Sequence, residues 1–264
     1  MQELSRPFAL AGADNVRELG GYRTEDGLMT QTHRLLRGDE LKNLTDTDCH
    51  LLYQYGVRSV IDLRSADEVS RGPDKLPDYY PEVSWLNVPM TDHVHSNRFS
   101  SEFPPSMWQL YRWLLDDSGE GFRMVFRAIL QAQETAVLFH CVGGKDRTGV
   151  LSMLLLKLAG VDDDTIAGDY ALTERAMKDV FPMQKADMEA RGLVVPDYVL
   201  QSPPENMYKT LAYLRDTYGS AAGYLAHIGL STTEVDALRT RMLHPAQKQD
   251  CQLRHRQSNQ HRSL

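Results

Sequence analysis

One stretch of the chain restricts its fold more than any other: AVLFHCVGGKDRTGVLSMLLLKLAG, residues 136–160. Its first four residues form a short apolar run, which predicts a buried strand. Two adjacent glycines follow, and residues 148–159 then have the length and apolar content of a buried helix. A strand that turns through glycines into a helix directs several backbone N–H groups into one concave site. The sequence therefore predicts an anion-binding site at this turn.

Alternating strand and helix patterns extend this unit into a larger fold. Apolar runs predict buried strands at residues 57–63, 83–88 and 136–140, and residues 34–38 are a candidate for a further short strand. Helical patterns are found at residues 45–55, 105–115, 119–133, 148–159, 163–171, 174–191, 204–218, 220–228 and 232–243. The alternation predicts an α/β fold with a central, mostly parallel sheet of about four to five strands flanked by helices.

The pattern predicts a single domain over residues 1–243. Residues 161–230 form an added helical region, and we expect part of it to cover the anion site like a lid, together with the irregular loop 90–106. Residues 244–264 have few large apolar groups and several basic ones, so we expect a disordered basic tail.

The composition restricts the classes of partner. With 42% hydrophobic and 25% charged residues, the chain is typical of a globular protein. Its formal net charge of −7 argues against general nucleic-acid binding, so positive charge for an anion has to be local. The three cysteines, Cys49, Cys141 and Cys251, form neither an even set nor a CxxC pair. We therefore expect no disulfide framework and no metal site.

No segment is expected to insert into a membrane. The most apolar stretch, residues 150–161, includes Lys157 and is shorter than the roughly 20 residues that a spanning helix needs. The N-terminus has no apolar run typical of a signal peptide. We expect a cytoplasmic protein, although the sequence leaves export without a leader open.

Cys141 is the candidate nucleophile. A free thiol has a pKa of about 8.5, and a helix N-terminus and nearby cations lower it, so we expect a thiolate here. Arg147 can hold two oxygens of a bound phosphate with its planar fork, and Thr148 can donate a hydrogen bond to the sulfur as it leaves. The remaining candidate phosphate-binding residues are Val142, Gly143, Gly144, Lys145 and Asp146. Lys145 would favour substrates with a second acidic group.

The leaving oxygen needs a proton donor, and two aspartates are candidates. Asp146 lies within the loop and is the first choice. Asp62 ends the strand at 57–63, and ligands of open α/β sheets bind at the carboxyl ends of strands. We therefore expect Asp62 and Arg64 to face the same pocket. His140 is expected to donate a hydrogen bond to a loop carbonyl and to hold the loop, rather than to act as a base.

Five segments resemble one known family. HCVGGKDRTG (140–149) is similar to the HCxxGKDRTG signature of the bacterial and fungal tyrosine-protein phosphatases. DNVRELGGY (14–22), RLLRGDELKNLT (34–45) and VIDLRSADEV (60–69) resemble three further motifs of that family, in the same order. Residues 210–231 are similar to its C-terminal helical segment.

The resemblance implies a cysteine-phosphatase fold that uses no metal or other cofactor. It implies Cys141 as nucleophile, Arg147 as phosphate clamp and Asp146 or Asp62 as general acid. It also implies a phosphorylated protein as substrate, since the family hydrolyses phosphotyrosine, and in some members phosphoserine, phosphothreonine or phosphoinositides.

Two positions depart from the family pattern. Gly38 replaces the usual serine after the arginine of RLLRG, and Glu18 replaces the usual aspartate of the RELGG segment. Neither lies in the cysteine loop, so we expect them to affect substrate preference more than activity.

Two alternatives to a phosphocysteine phosphatase stay open at this point. A rhodanese-type sulfurtransferase also keeps a thiolate in a short anion-binding loop, but it does not require Arg147 followed by Thr-Gly. A phosphate-binding module without activity is the other, and the intact set of Cys141, Asp146 and Arg147 argues against it.

Overall fold

The computed structural model describes residues 3–5, 7–90 and 103–244. Within these residues five strands form one sheet: Arg17–Glu18 (β1), Leu35–Gly38 (β2), Val57–Asp62 (β3), Ser84–Asn87 (β4) and Ala136–His140 (β5). The strand order is β1-β2-β5-β3-β4, and every neighbouring pair is parallel except β1 with β2. The predicted α/β fold with a mostly parallel sheet is confirmed, and the four predicted strands are found.

The central position of β5 determines where the site lies. His140, its last residue, is paired with Gly38 of β2 on one side and with Asp62 of β3 on the other. The carboxyl ends of three parallel strands therefore meet at one edge of the sheet, which is where ligands of such sheets bind.

Helices cover both faces of the sheet. Their bounds are Asp46–Tyr55 (α1), Ala66–Ser70 (α2), Lys75–Tyr79 (α3), Met107–Asp117 (α4), Gly119–Gln131 (α5), Arg147–Ala159 (α6), Asp163–Ala176 (α7), Phe181–Ala190 (α8), Pro204–Tyr218 (α9), Ala221–His227 (α10) and Thr232–Met242 (α11), with a 3₁₀ turn at Asp197–Leu200. Alternate residues of β5 point to opposite faces. Val137 and Phe139 lie in the larger core with α4 to α11, whereas Ala136 and Leu138 lie in the smaller core with α1 and α3.

One predicted helix is divided in the structure. The helix predicted over 174–191 begins instead at Phe181, and α7 extends to Ala176, beyond its predicted end at 171. Pro182 lies in the first turn of α8. Proline has no N–H to donate, so it suits the start of a helix and disrupts an interior.

Two short helices, α2 and α3, lie between β3 and β4, where the sequence pattern predicted none. The first is fixed by a capping box, in which Ser65 and Glu68 each bond the other's backbone N–H. Glu68 of α2 and Asp74, the N-cap residue before α3, contribute to the site described below.

The helical region after residue 160 packs on the core through contacts of α7 and α10 with α6. None of the helices in the described residues is long and apolar enough to cross a bilayer. Residues 245–264 of the expected tail and most of the 90–106 loop lie outside the described residues, so those expectations stay predictions.

Candidate active site

The loop between β5 and α6 brings the predicted reactive groups together. Cys141 directly follows β5, and Arg147 is the first residue of α6. Cys141 is free and only 3% exposed, so its sulfur lies at the bottom of the loop. Gly144 has a φ of 65°, and a Cβ there would lie 2.5 Å from the carbonyl oxygen of Gly38. Only glycine fits this close approach of the loop to β2.

Four carbonyl groups of the loop point outward and accept hydrogen bonds from the surrounding protein. The bonds are His140 Nδ1 to Cys141 O (3.1 Å), Glu40 N to Val142 O (3.0 Å), Asn15 Nδ2 to Gly143 O (3.0 Å) and Arg37 Nη2 to Gly144 O (2.7 Å). A peptide group that turns its oxygen outward turns its N–H inward. The outward bonds therefore orient the loop amides as an anion-binding nest.

Buried ion pairs fix two of these donors. Asp169 of α7 accepts from Arg37 Nη1 at 2.5 Å and from Arg17 Nε at 2.9 Å, and Arg17 also donates to Asn15. Burial disfavours the charge of Asp169, but the two guanidinium groups outweigh it and lower its pKa. The helical region thus supports the loop from behind.

Arg147 is held by a glutamate that the sequence analysis missed. Its Nη1 and Nη2 donate to the two carboxylate oxygens of Glu68, each at 2.8 Å, and Nη1 also donates to Leu63 O. Arg147 and Glu68 are both buried. Such a two-pronged ion pair fixes the plane of the guanidinium before any phosphate binds. The sequence carried a partial signal for this position. Ser65 and Glu68 have capping-box spacing within VIDLRSADEV, which predicts the start of a short helix there but not the contact of Glu68 with Arg147.

Asp62 and Arg64, which we expected to face the pocket, are paired with each other in the structure. Both are fully buried, and Arg64 donates from Nε and Nη2 to Asp62, at 3.0 and 2.8 Å. Arg64 Nη2 also donates to Asp74 at 2.8 Å. Asp62, Asp74 and His140 lie close enough together to hold a metal ion, but the guanidinium of Arg64 supplies the positive charge there. Buried carboxylates need such a partner, which explains why Arg64 turns inward.

Asp146 is the more accessible aspartate. Its side chain is 17% exposed at the loop rim, and Tyr111 donates its hydroxyl proton to Oδ1 at 2.7 Å. Burial raises the pKa of Tyr111 well above its ordinary value, so Tyr111 stays a donor. The hydroxyl of Tyr170 lies 2.6 Å from that of Tyr111 and extends this network into α7.

Lys145 points into the helical region instead of into solvent. It is 2% exposed, and its Nζ donates to the carbonyl oxygens of Val199 and Gln201. Burial lowers its pKa. Nearby, the ring of Phe181 at the start of α8 lies over Gly143, 3.3 Å from where a Cβ would stand. The helical region therefore packs directly on the cysteine loop.

Thr148 is fully buried, and its hydroxyl has no hydrogen-bond partner among the described residues. It lies in the first turn of α6, next to Arg147. A buried hydroxyl without a partner is unusual and is often satisfied by a ligand or a reacting group.

The sequence model of the tyrosine phosphatase family matches residues 8–244. This chain belongs to the tyrosine phosphatase family. A tyrosine-protein phosphatase of Nostoc commune is 35% identical over 219 residues, which cover 78% of this chain and 73% of the relative. The triple specificity protein phosphatase PtpB of Mycobacterium tuberculosis is 30% identical over 271 residues, which cover 87% and 96% of the two chains.

Two solved structures are similar at lower identity. TpbA of P. aeruginosa has 16% identity and a TM-score of 0.41, and the match covers 77% of this chain and 91% of TpbA. The catalytic core of Siw14 has 15% identity and a TM-score of 0.41, with 82% and 90% covered. The family match identifies a protein-tyrosine phosphatase, as predicted, and thereby a hydrolase rather than a sulfurtransferase.

The two departures from the family pattern have structural reasons in this phosphatase. A Cβ at Gly38 would lie 2.8 Å from Cγ2 of Val16, so the valine occupies the space that a serine side chain would need. Glu18 accepts hydrogen bonds from the backbone N–H groups of Gly20 and His33, and from the hydroxyl of Tyr55. Glu18 therefore fixes the backbone at Gly20 and His33, which lie outside the cysteine loop.

Proposed function

We propose that this phosphatase hydrolyses phosphate monoesters without a metal, through a phosphocysteine at Cys141. The thiolate attacks phosphorus opposite the ester oxygen, so that an S–P bond forms while the P–O ester bond breaks. Water then attacks the phosphocysteine, the S–P bond breaks, and inorganic phosphate and the thiolate are released. A reducing compartment, such as the cytoplasm, suits a thiolate that is readily oxidised.

One arrangement supports this proposal best. Cys141 belongs to a loop whose carbonyl groups are hydrogen-bonded on the outer side, and Glu68 already holds Arg147, at the end of that loop, in place. The loop amides, the guanidinium and the N-terminus of α6 provide positive charge where the equatorial phosphate oxygens gain charge in the transition state. The hydroxyl of Thr148, which has no hydrogen-bond partner in the described part of the chain, is suited to stabilise the sulfur as it leaves.

For the general acid we propose Asp146. Its carboxylate is accessible at the loop rim, whereas both oxygens of Asp62 accept from Arg64. In the first step Asp146 gives its proton to the leaving oxygen. In the second step the resulting carboxylate takes a proton from the attacking water.

As substrate we propose phosphotyrosine in proteins. The sulfur is almost completely buried, so a phosphate on a long, flat stem reaches it more easily than one on a short serine side chain. The relative from Mycobacterium tuberculosis is named a triple specificity phosphatase, which supports phosphoserine, phosphothreonine and phosphoinositides as further substrates to test. Recognition of a second phosphate by Lys145 would require its release from Val199 and Gln201.

The test combines Cys141→Ser with a substrate panel at one pH. We expect the variant to lose turnover of p-nitrophenyl phosphate and still bind vanadate, because the loop amides and Arg147 are intact. Turnover by the variant, or a need for added metal in the wild type, would contradict the mechanism. The wild-type turnover rates are then compared for four kinds of substrate: phosphotyrosine, phosphoserine and phosphothreonine peptides, and phosphoinositide vesicles. We expect the highest rate for the phosphotyrosine peptide.

A further inference from the structure

Asp74 makes contacts that helix capping does not require. It occupies the N-cap position of α3, but its side chain makes no capping hydrogen bond. Instead the carboxylate turns inward and is almost completely buried. Oδ1 accepts from Arg64 Nη2 at 2.8 Å, and Oδ2 accepts from His140 Nε2 at 2.8 Å and from Trp85 Nε1 at 3.1 Å. An N-cap aspartate usually bonds its own helix, so these contacts replace a favourable local one.

His140 connects Asp74 to the candidate nucleophile. It is fully buried at the end of β5, with Nε2 on Asp74 and Nδ1 3.1 Å from the carbonyl oxygen of Cys141. A carbonyl oxygen and a carboxylate only accept hydrogen bonds, so both ring nitrogens must donate and the imidazole must be charged. Burial opposes both charges, but their attraction outweighs it, which raises the pKa of His140 and lowers that of Asp74.

The groups that face His140 balance this charge. Asp74 lies at 2.8 Å and Asp62 at 3.9 Å, and Arg64 binds both aspartates. Glu40 lies 3.5 Å from Arg64 at the edge of the cluster. The two positive charges of His140 and Arg64 thus balance the two negative charges of Asp62 and Asp74. Within this cluster, His140 is the cation that hydrogen-bonds the backbone of Cys141.

We propose that Asp74 is a positioning residue of this phosphatase, which keeps His140 doubly protonated so that its charge and its Nδ1–H stay on the Cys141 peptide. The inference rests on the proposed role of Cys141 as the nucleophile. If Asp74 loses its charge, His140 becomes neutral and has only one N–H for its contacts with residue 74 and with the carbonyl oxygen of Cys141. The Cys141 thiolate then also loses a nearby positive charge. The thiolate then forms at higher pH.

The experiment measures the rate of Cys141 alkylation by iodoacetate against pH in the full chain. In Asp74→Asn we expect the midpoint of this curve to rise by about one pH unit, which means roughly tenfold slower alkylation below both midpoints. Trp85→Phe removes another bond to the same Asp74 oxygen without touching His140 and is expected to leave the midpoint unchanged. Asp46→Asn removes an exposed carboxylate that pairs with Lys75 and controls for net charge.

A second background separates this role from a structural one. In His140→Gln, we expect a raised midpoint that Asp74→Asn does not raise further, because Asp74 acts through the imidazole. An equal shift in both backgrounds, or an unchanged midpoint in folded Asp74→Asn, would overturn the inference. If Asp74→Asn does not fold, an unchanged midpoint in His140→Gln overturns it instead. Activity that survives Cys141→Ser would refute the proposed function itself, which is a distinguishable result.

Discussion

At the scale of single residues, the two candidate acids differ in a way that kinetics can separate. Asp146→Asn should reduce kcat for phenyl phosphate more than for p-nitrophenyl phosphate, because the poorer leaving group depends more on protonation. It should also flatten the alkaline limb of the pH–rate profile, where the acid loses its proton. Asp62→Asn should mainly lower the melting temperature, since it breaks a buried pair with Arg64. Equal effects of Asp146→Asn on both substrates would rule out Asp146 as the donor.

The role of Glu68 can be tested with an isosteric change that removes its charge and keeps its size. In Glu68→Gln, Arg147 loses the carboxylate that fixes its plane, and breaking a buried pair costs about 3–5 kcal/mol. We expect a lower melting temperature and a fall of at least about tenfold in kcat/KM, because a catalytic group displaced by about 1 Å can reduce the rate by about a hundredfold. Glu134→Gln, which removes an exposed partner of Arg34, is the control and should match the wild type. Unchanged kcat/KM in Glu68→Gln would contradict the role.

The sequence predicted some site residues and not others for a physical reason. Cys141 and Arg147 lie within one local motif, so spacing along the chain was sufficient to predict that they meet. Arg64 and Lys145 were expected to contact substrate, but Arg64 pairs with Asp62 and Asp74, and Lys145 donates to Val199, 54 residues further along the chain. Side-chain direction set by such long-range partners is not visible in local spacing.

At the scale of elements, a single substitution can weaken the contact between the cysteine loop and the 3₁₀ turn at Asp197–Leu200, because Lys145 makes it. Lys145→Met keeps most of the length of the side chain and removes its bonds to the carbonyls of Val199 and Gln201, together with its ion pair to Asp146. Hydrogen bonds from a charged donor contribute about 1.5–3 kcal/mol, so amides around Asp197–Leu200 should exchange roughly 10–100 times faster. Hydrogen-exchange mass spectrometry measures this. Unchanged exchange would mean that Lys145 does not hold the segment.

The elements themselves were largely predictable. The four predicted strands match the observed ones to within one residue at each end, and α1 matches the helix predicted over 45–55 to within one residue. Apart from the divided helix over 174–191, the errors were short elements that the pattern missed: β1 has only two residues, and α2 and α3 have five each. Elements this short have too few residues for a periodic pattern, and their stability comes from tertiary contacts.

At the scale of the whole molecule, the Asp74–His140 pair predicts a pH window of stability. The raised pKa of His140 adds stability that is present below about pH 6.5 and is lost as pH rises through its folded value. The lowered pKa of Asp74 adds stability that is present above about pH 3.9 and is lost as pH falls. The melting-temperature difference between wild type and Asp74→Asn should therefore be largest between about pH 4 and 6.5. A difference that is constant from pH 4 to 9 would contradict the charged pair.

A covalent phosphate at Cys141 is the intermediate on which the proposed reaction depends. The direct measurement is rapid acid quenching of the enzyme during turnover of a phosphotyrosine peptide, followed by mass spectrometry of the peptides. We predict phosphate on the peptide that contains Cys141. Two results would contradict a phosphocysteine intermediate. One is phosphate on another residue. The other is an active enzyme that gives no phosphorylated peptide, together with full turnover by Cys141→Ser.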